Sequence, residues 1–216
     1  DFGGGSNHDL YYGYSEDHGR TWKDTHGQVV ATTEPIHPTD DRTSGLCMRQ
    51  GLKSLQIETI PYYKGYINQE TQATDSKGRV HIVNSYMEDG TDTNWASSRR
   101  KAVLHHRYRD LDGTWHHNLI RKNGQPVTSY CRVQVICDAF DNAYVVANGA
   151  EIYAATSANH YTDWGLLSDT DLGRFCSEPQ IDRNAIDEGI LSFVYLGRDR
   201  TVAVIDYLID NPHRPN

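Results

Sequence analysis

Residues 15–22 read SEDHGRTW, and their spacing decides the fold more than any other stretch of the chain. Five of them fit the turn motif called an Asp box, S-x-D-x-G-x-T-W: Ser15, Asp17, Gly19, Thr21 and Trp22. The Asp17 carboxylate can accept hydrogen bonds from backbone N–H groups of the turn, and Gly19 allows a positive φ that a side chain would resist. Such a turn joins the third and fourth strands of a small sheet, so we interpret Asp17 as structural rather than catalytic.

Strand signals continue through the rest of the chain, whereas no segment keeps a helical period for three turns. Stretches bounded by Gly, Asn or Asp predict nine strands, at residues 10–14, 79–84, 102–108, 114–120, 133–137, 143–147, 151–156, 191–195 and 201–208. The predicted fold class is therefore all-β.

Three stretches repeat one plan, in which a Gln and an Asp precede a turn and an apolar strand. They read QATDSKGRVHIV from Gln72, QVICDAFDNAYVV from Gln134 and QIDRNAIDEGILSFVY from Gln180. With the strands that follow, they define units of about 45–65 residues, the size of the four-stranded blades of a β-propeller. Blades are predicted at about 60–122, 126–169 and 174–210, after an Asp-box half-blade at 1–30.

Three and a half blades cannot close a ring, because the open sheet edges would leave backbone groups unpaired. We therefore expect residues 1–216 to form the C-terminal half of one propeller domain. The N-terminal half of the same propeller is then a required partner, and the complete protein is expected to be a monomer.

Composition argues against two classes of function. The net charge of −8 over 216 residues disfavours a general nucleic-acid binder, and no apolar run approaches the roughly 20 residues of a membrane span. The 14 tyrosines suit carbohydrate contact surfaces. The four cysteines do not form the pattern of a small disulfide scaffold; Cys131 and Cys176 could pair across neighbouring strands, whereas Cys131 and Cys137 are too close in one extended segment.

Three stretches carry a family resemblance: GGGSNHDLYYGYSEDHGRTW at 3–22, YYKGYINQETQATDSKGRVHIVN at 62–84 and LHHRYRDLDGTWHHNLI at 104–120. Together they resemble the BNR-repeat group of polysaccharide lyases, and more narrowly the ulvan lyases of polysaccharide lyase families 24 and 25. The resemblance to ulvan lyases in particular rests on the INQE segment and on the pattern HxYRDxDGxW. This pattern is formed by His106, Tyr108, Arg109, Asp110, Asp112, Gly113 and Trp115.

The resemblance implies a secreted, seven-bladed propeller with a structural zinc, of which this chain supplies about three and a half C-terminal blades. It also implies cleavage of a sulfated algal polysaccharide by β-elimination beside a uronic acid. That reaction needs a group that neutralises the uronate carboxylate, a base for the C5 proton and an acid for the leaving oxygen. In the resembled family these groups lie upstream of Asp1, so the catalytic residues are unknown in this chain.

Five residues are candidates for contact with an anionic polysaccharide: Asn7, Arg49, Lys64, Tyr130 and Arg132. Asn7 stands where the neutralising side chains of the family gather, and Lys64 precedes an inner strand and can reach a central groove. Tyr130 and Arg132 begin the next inner strand. The alternative interpretations are a turn asparagine for Asn7 and a solvated loop lysine for Lys64.

The zinc that the resemblance implies would be held by His8, Cys47, His81 and His106, a closed tetrahedral set of the structural type. His105 competes with His106, because adjacent strand residues face opposite sides of a sheet. His106 is preferred because it matches the pattern of the family. The alternative for each histidine is a surface residue of a strand.

Two other functions stay open on this scaffold, because a fold does not by itself give a function. A sialidase-type glycoside hydrolase would need an arginine triad and a Tyr–Glu pair around the central axis. A non-catalytic glycan-binding propeller would keep aromatic and basic groove residues without an acid–base pair.

Overall fold

The computed structural model describes residues 3–32, 53–67, 71–88, 94–170, 178–197 and 201–209. They divide into two compact units: His8–Pro61, called here the Asp-box unit, and Asp1–Asn7 with Tyr62–Asn216, called the three-sheet unit. Small antiparallel sheets dominate both units and confirm the all-β prediction. Each of the nine predicted strands overlaps an observed strand.

The Asp-box unit contains four short strands: β1 (Leu10–Tyr11), β2 (Thr21–Lys23), β3 (Val29–Thr32) and β4 (Gln56–Glu58). Strand β1 pairs with β4, and β2 pairs with β3, both in antiparallel register. An antiparallel bridge from Tyr14 links the chain after β1 to β2. Strand β4 was not predicted, since three residues are too few to show an alternating pattern.

The Asp box folds as its sequence predicts. Asp17 Oδ1 accepts the Thr21 N–H at 2.8 Å, and Asp17 Oδ2 accepts the Thr21 hydroxyl at 2.8 Å. The Gly19 N–H donates to Ser15 Oγ at 2.8 Å, and Gly19 has a φ of 84°. Trp22 closes the turn by donating from Nε1 to the Gly19 carbonyl at 3.2 Å. All of these contacts are local, which explains why the motif can be read from sequence.

The first sheet of the three-sheet unit follows the order β5-β6-β7-β8. Its strands are β5 (Thr71–Thr74), β6 (Val80–Tyr86), β7 (Val103–Arg109) and β8 (Trp115–Leu119). A short helix, α1 (Trp95–Arg99), precedes β7.

The second sheet is reached through a small hairpin, β9 (Arg121–Lys122) and β10 (Gln125–Pro126). Asn123 and Gly124 both have positive φ in its turn, at 53° and 78°, as a tight hairpin turn of this length requires.

Four antiparallel strands form the second sheet, in the order β11-β12-β13-β14. They are β11 (Gln134–Cys137), β12 (Asn142–Ala147), β13 (Glu151–Thr156) and β14 (Gly165–Ser168).

Three strands form the third sheet, in the order β15-β16-β17: β15 (Gln180–Asp182), β16 (Ile190–Leu196) and β17 (Val202–Leu208).

The repeated aspartates of the sequence cap the first turn of each sheet. The Oδ1 atoms of Asp75 and Asp138 each accept the backbone N–H groups two and four residues later, at distances of 2.9–3.0 Å. Asp182 Oδ1 accepts the N–H two residues later, at 2.9 Å. The first two stretches therefore form the same capped hairpin. In the third, the Asp182 cap is followed by a 3-10 turn, Ala185–Glu188, that lengthens the connection.

The three sheets pack face to face through apolar side chains. The core between the first and second sheets includes Val83, Leu104, Tyr108, Val135, Val145 and Tyr153. The opposite face of the second sheet contributes Tyr144, Val146 and Ile152 to a second core, against Leu191, Phe193 and Tyr195 of the third. Successive sheets packed in this way agree with propeller blades, and the seven-bladed ring and its blade boundaries stay predictions.

The third sheet also carries an apolar face that the described residues leave exposed. Its members are Val194, Leu196, Val202, Val204 and Leu208. Val194 lies opposite Val204, and Leu196 lies opposite Val202, so these four side chains form one patch across β16 and β17. Ser192 and the exposed Asp206 lie opposite each other on the same face and separate this patch from Leu208. This face lies opposite the one that packs on the second sheet.

Two further sequence expectations concern the cysteines and the membrane. Cys131 is disulfide-bonded, and Cys137 is a free thiol. Because Cys176 lies outside the described residues, its proposed pairing with Cys131 stays a prediction. Across the ranges that the structure describes, no helix has the length and apolar character needed to cross a membrane.

Candidate functional site

The longer connections of the three-sheet unit gather at one end of its sheets. In antiparallel sheets, alternate connections emerge at the same edge. Residues 62–67, 94–102 and 120–133 therefore lie together where β5 and β11 begin, and we call these three segments the loop end. The Val135 N–H donates to Thr71 Oγ1 at 3.1 Å, which places β11 directly beside β5.

The two ends of the sheets differ in their charged residues. The three loop-end segments contain no Asp or Glu and seven basic residues: Lys64, Arg99, Arg100, Lys101, Arg121, Lys122 and Arg132. Acidic residues adjoin them, because Glu151 forms an ion pair with Lys122 at 2.7 Å and Glu178 forms one with Arg132. The turns of the opposite end, at 75–79, 110–114 and 138–142, contain five acids and two bases. The loop end is therefore rich in basic residues in a protein with a net charge of −8, although two of these residues are paired with a carboxylate and Arg99 is buried.

A fully buried arginine, Arg99, ties the loop end together. Its Nε donates to the Tyr130 carbonyl at 2.8 Å, and its Nη2 donates to the Cys131 carbonyl at 3.2 Å. Its Nη1 donates to the Gly65 carbonyl at 3.1 Å, and to the carbonyl and hydroxyl of Ser85 at 3.1 and 2.8 Å. One guanidinium thus joins two loop-end segments to the end of β6.

Sequence reasoning missed Arg99, because it stands in the run SSRRK, which resembles a solvated basic surface. The available signal was Asn94, a residue type favoured before the first turn of a helix. Its side chain accepts the Ser97 N–H at 3.1 Å. The resulting turn of helix buries Arg99 and exposes Arg100.

Lys64 lies at the loop end, and its contact with a substrate stays a prediction. Its Nζ donates to the Glu88 carbonyl at 3.4 Å, and its own carbonyl accepts the Met87 N–H at 2.8 Å. The residue is half-buried as a whole, and its ammonium group lies in a solvent-exposed position.

Tyr130 and Arg132 lie at the same end. Tyr130 is 50% exposed, and its carbonyl is held by Arg99. Arg132 forms an ion pair with Glu178, so part of its charge is compensated. The fifth candidate, Arg49, lies outside the described residues.

The segment around Asn7 packs against the loop end through the Asn7 amide and through Gly4. Its Nδ2 donates to the Tyr66 carbonyl at 3.1 Å, and Trp95 Nε1 donates to the same carbonyl at 3.1 Å. A β-carbon on Gly4 would lie 2.8 Å from the Trp95 ring, so the glycine is needed for this close approach. The Asn7 side chain therefore makes a long-range contact with residues 62–67, and contact with a substrate stays a prediction.

Two of the four predicted zinc ligands come together on one face of the first sheet. His81 Nδ1 and His106 Nε2 are 3.0 Å apart, and both side chains are fully buried. Burial lowers the pKa of His81 to about 4 and holds the pKa of His106 well below its usual range. Both imidazoles are therefore neutral at pH 7, the form that coordinates a metal.

His105 points to the opposite face of β7, as strand alternation predicts. Its Nδ1 is 2.9 Å from His117 Nε2, and its ring stacks on Tyr86 with a centroid separation of 3.8 Å. The two adjacent histidines thus belong to separate pairs, each joining neighbouring strands of the first sheet.

The other two predicted ligands are His8 and Cys47. His8 belongs to the Asp-box unit, where its Nδ1 is 2.8 Å from Asp9 Oδ2. Cys47 lies outside the described residues. Within the described ranges, no group of three or more His, Cys, Asp or Glu side chains is arranged to hold a metal ion, and the four-residue set stays a prediction.

Comparison with known sequences agrees with the fold. The model of a family described as "BNR repeat-containing family member" matches residues 1–123, which include the Asp box, the first sheet and the Lys64 segment. No curated protein matches the chain. Because the match covers more than half of the 216 residues, the chain belongs to the BNR repeat-containing family.

Proposed function

We propose that this chain is part of a polysaccharide lyase that cleaves ulvan, a sulfated polysaccharide containing uronic acid. The observation that supports it most is the loop end, where three segments carry seven basic residues, among them Lys122 and Arg132, which pair with a neighbouring Glu, and Arg99, which is buried. Sulfates and uronates are anions, and a concentrated positive potential raises their local concentration at the site.

The chemistry assigns the loop end a supporting part in β-elimination. A cation or N–H donor beside the uronate carboxylate stabilises the negative charge that builds up as the C5 proton leaves. Lys64 and Arg132 are the cations proposed to contact carboxylate or sulfate, and Asn7 and Tyr130 are proposed as neighbouring contacts. The acid and the base are proposed to come from residues upstream of Asp1.

A structural zinc is part of the proposal. His81 and His106 would supply two of its ligands, with His8 and Cys47 as the others. Two nitrogens bound to one tetrahedral zinc lie about 3.3 Å apart, so the 3.0 Å separation of His81 and His106 is compatible with a shared metal. The ion would crosslink β6 and β7, and it would take no part in the reaction.

The partner is proposed to be the N-terminal half of the same propeller. Each of the two described interfaces between sheets contains an apolar core, and the first also buries His81 and His106. The exposed face of the third sheet, which includes Val204, is where a further sheet would pack next. A further blade with an apolar face would bury it and remove an exposed patch of the kind that marks an interaction surface.

The disulfide of Cys131 supports secretion. Disulfides persist in oxidising compartments and are rare in the cytosol, and Cys131 is disulfide-bonded. We therefore propose an extracellular or periplasmic location, where an algal polysaccharide is accessible.

Incubation of the whole protein with ulvan tests the proposal, with the products analysed by mass. A lyase gives fragments with an unsaturated uronate, which absorbs at about 235 nm as expected for proton abstraction and elimination. A hydrolase gives saturated fragments, each heavier by one water molecule. Retention of the polymer without any product would identify a binding protein, and either of these last two results would refute the lyase.

A further inference from the structure

We infer that Arg99 is the positioning residue of the loop end, which fixes Lys64, Tyr130 and Arg132 for an anionic polysaccharide. The functional half of this inference rests on the function proposed above. Arg99 is fully buried and cannot touch a substrate itself, so it acts through the residues whose backbone it holds.

The burial of the Arg99 guanidinium has a large desolvation cost that its hydrogen bonds must offset. A buried charge is strongly unfavourable unless hydrogen bonds replace its lost hydration. Arg99 makes five such bonds, and their acceptors are the carbonyls of Gly65, Tyr130 and Cys131 and two atoms of Ser85. All three nitrogens of the side chain are used, in the planar fork that only arginine offers.

The acceptors adjoin the candidate contact residues. Gly65 follows Lys64, and Cys131 precedes Arg132, while the carbonyl of Tyr130 is itself an acceptor. The spacing between segments 62–67 and 120–133 is therefore set by one rigid group. A site fixed before binding loses less conformational entropy when the ligand arrives, and small displacements of positioning groups reduce rates strongly.

The matched control is a second buried arginine in the same sheet. Arg107 is 3% exposed and donates to Asn84 Oδ1 at 2.8 Å and to the Tyr86 hydroxyl at 2.9 Å. These acceptors lie on β6, so Arg107→Met removes a buried cation without releasing a loop-end carbonyl.

The experiment compares Arg99→Met, Arg99→Lys and Arg107→Met in the whole protein. KM and kcat for ulvan are measured together with the unfolding temperature and with hydrogen exchange of the Met87 and Ser129 amides. These amides donate to the carbonyls of Lys64 and Ala102, so they report on the loop end directly.

We expect Arg99→Met to raise KM about tenfold or more and to lose exchange protection at both amides. Arg99→Lys should recover only part of either effect, and Arg107→Met should lower the unfolding temperature while keeping KM and the two protections. Equal effects of Arg99→Met and Arg107→Met on KM and on protection would overturn the inference.

The exchange measurement separates this inference from the proposed function. If the unmodified protein does not act on ulvan, the proposed function fails, and the exchange data still decide whether Arg99 positions the loop end. Loss of protection at Met87 and Ser129 in Arg99→Met alone supports positioning, and unchanged protection refutes it.

Discussion

Gly65 lies against Arg99 so closely that a β-carbon at position 65 would be 2.5 Å from the Arg99 backbone nitrogen. Gly65 also has a φ of 72°, in the left-handed region that disfavours side chains. The backbone of one residue thus fits against the backbone of the other, while the Arg99 guanidinium holds the Gly65 carbonyl.

Substitution of Gly65 by alanine should therefore destabilise the protein for two reasons, strain and collision. We expect a loss of about 2–4 kcal/mol in the free energy of unfolding, measured by denaturant titration. Gly78→Ala is the matched control, because Gly78 has a φ of 87° and no neighbouring atom within 4 Å of the added carbon. It should cost about 1 kcal/mol from strain alone, and equal losses would contradict the close approach.

The Asp box should make stability depend on acidity. Hydrogen bonds from the Thr21 backbone and hydroxyl lower the pKa of Asp17 from 3.8 to about 2. The folded state thus binds this proton less readily than the unfolded state. The contribution of Asp17 is complete above pH 3.8 and is lost as the pH falls towards 2.

Unfolding temperatures of the unmodified protein and Asp17→Asn should therefore differ at pH 7 and converge near pH 2. Glu16→Gln removes the same charge from a carboxylate that bonds to the Lys23 side chain rather than to the turn, and exposed pairs of this kind contribute little. A constant difference between Asp17→Asn and the unmodified protein across this pH range would show that the carboxylate does not carry the turn.

Metal content distinguishes the two adjacent histidines of β7. The proposed zinc predicts that the purified whole protein contains a single zinc ion and that His106→Ala loses it. His105→Ala, at an equally buried position on the opposite face, should keep the metal. Elemental analysis after dialysis measures this, and zinc retained by His106→Ala or absent from the unmodified protein would refute the ligand set.

If another blade covers the exposed face of the third sheet, a charged residue introduced on that face should destabilise the protein. If another blade covers Val204, Val204→Glu should lower the stability of the whole protein by about 2 kcal/mol or more, since an unpaired charge would be desolvated. Leu111→Glu is the control, because Leu111 lies at a hairpin tip and is 65% exposed, against 68% for Val204. Two equally mild variants would mean that Val204 faces solvent.

Local contacts explain which features could be predicted from the sequence. The Asp17 carboxylate accepts a hydrogen bond from the N–H four positions later, and the Asp75 and Asp138 carboxylates do the same. The alternation of a strand likewise predicted that His105 and His106 face opposite sides of the first sheet.

Distant contacts explain what could not be predicted. Arg99 reaches carbonyls 31 to 34 positions away, at Gly65, Tyr130 and Cys131. A single sequence offers no pattern that pairs such segments, so the run SSRRK resembles a solvated surface. The ion pair of Arg132 with Glu178 also spans 46 positions, and for that reason the sequence did not reveal the partial compensation of this charge.

The most direct test of the central claim is the rate at which absorbance rises near 235 nm, roughly where an unsaturated uronate absorbs, when ulvan is mixed with the whole protein. The account predicts a rise that falls about tenfold or more in Lys64→Ala. Lys77→Ala, at the opposite end of the sheets and paired with Asp141 at 3.0 Å, should keep the full rate. A flat trace from intact, folded protein, or equal rates in the two lysine variants, would contradict an anion-binding loop end that serves a lyase.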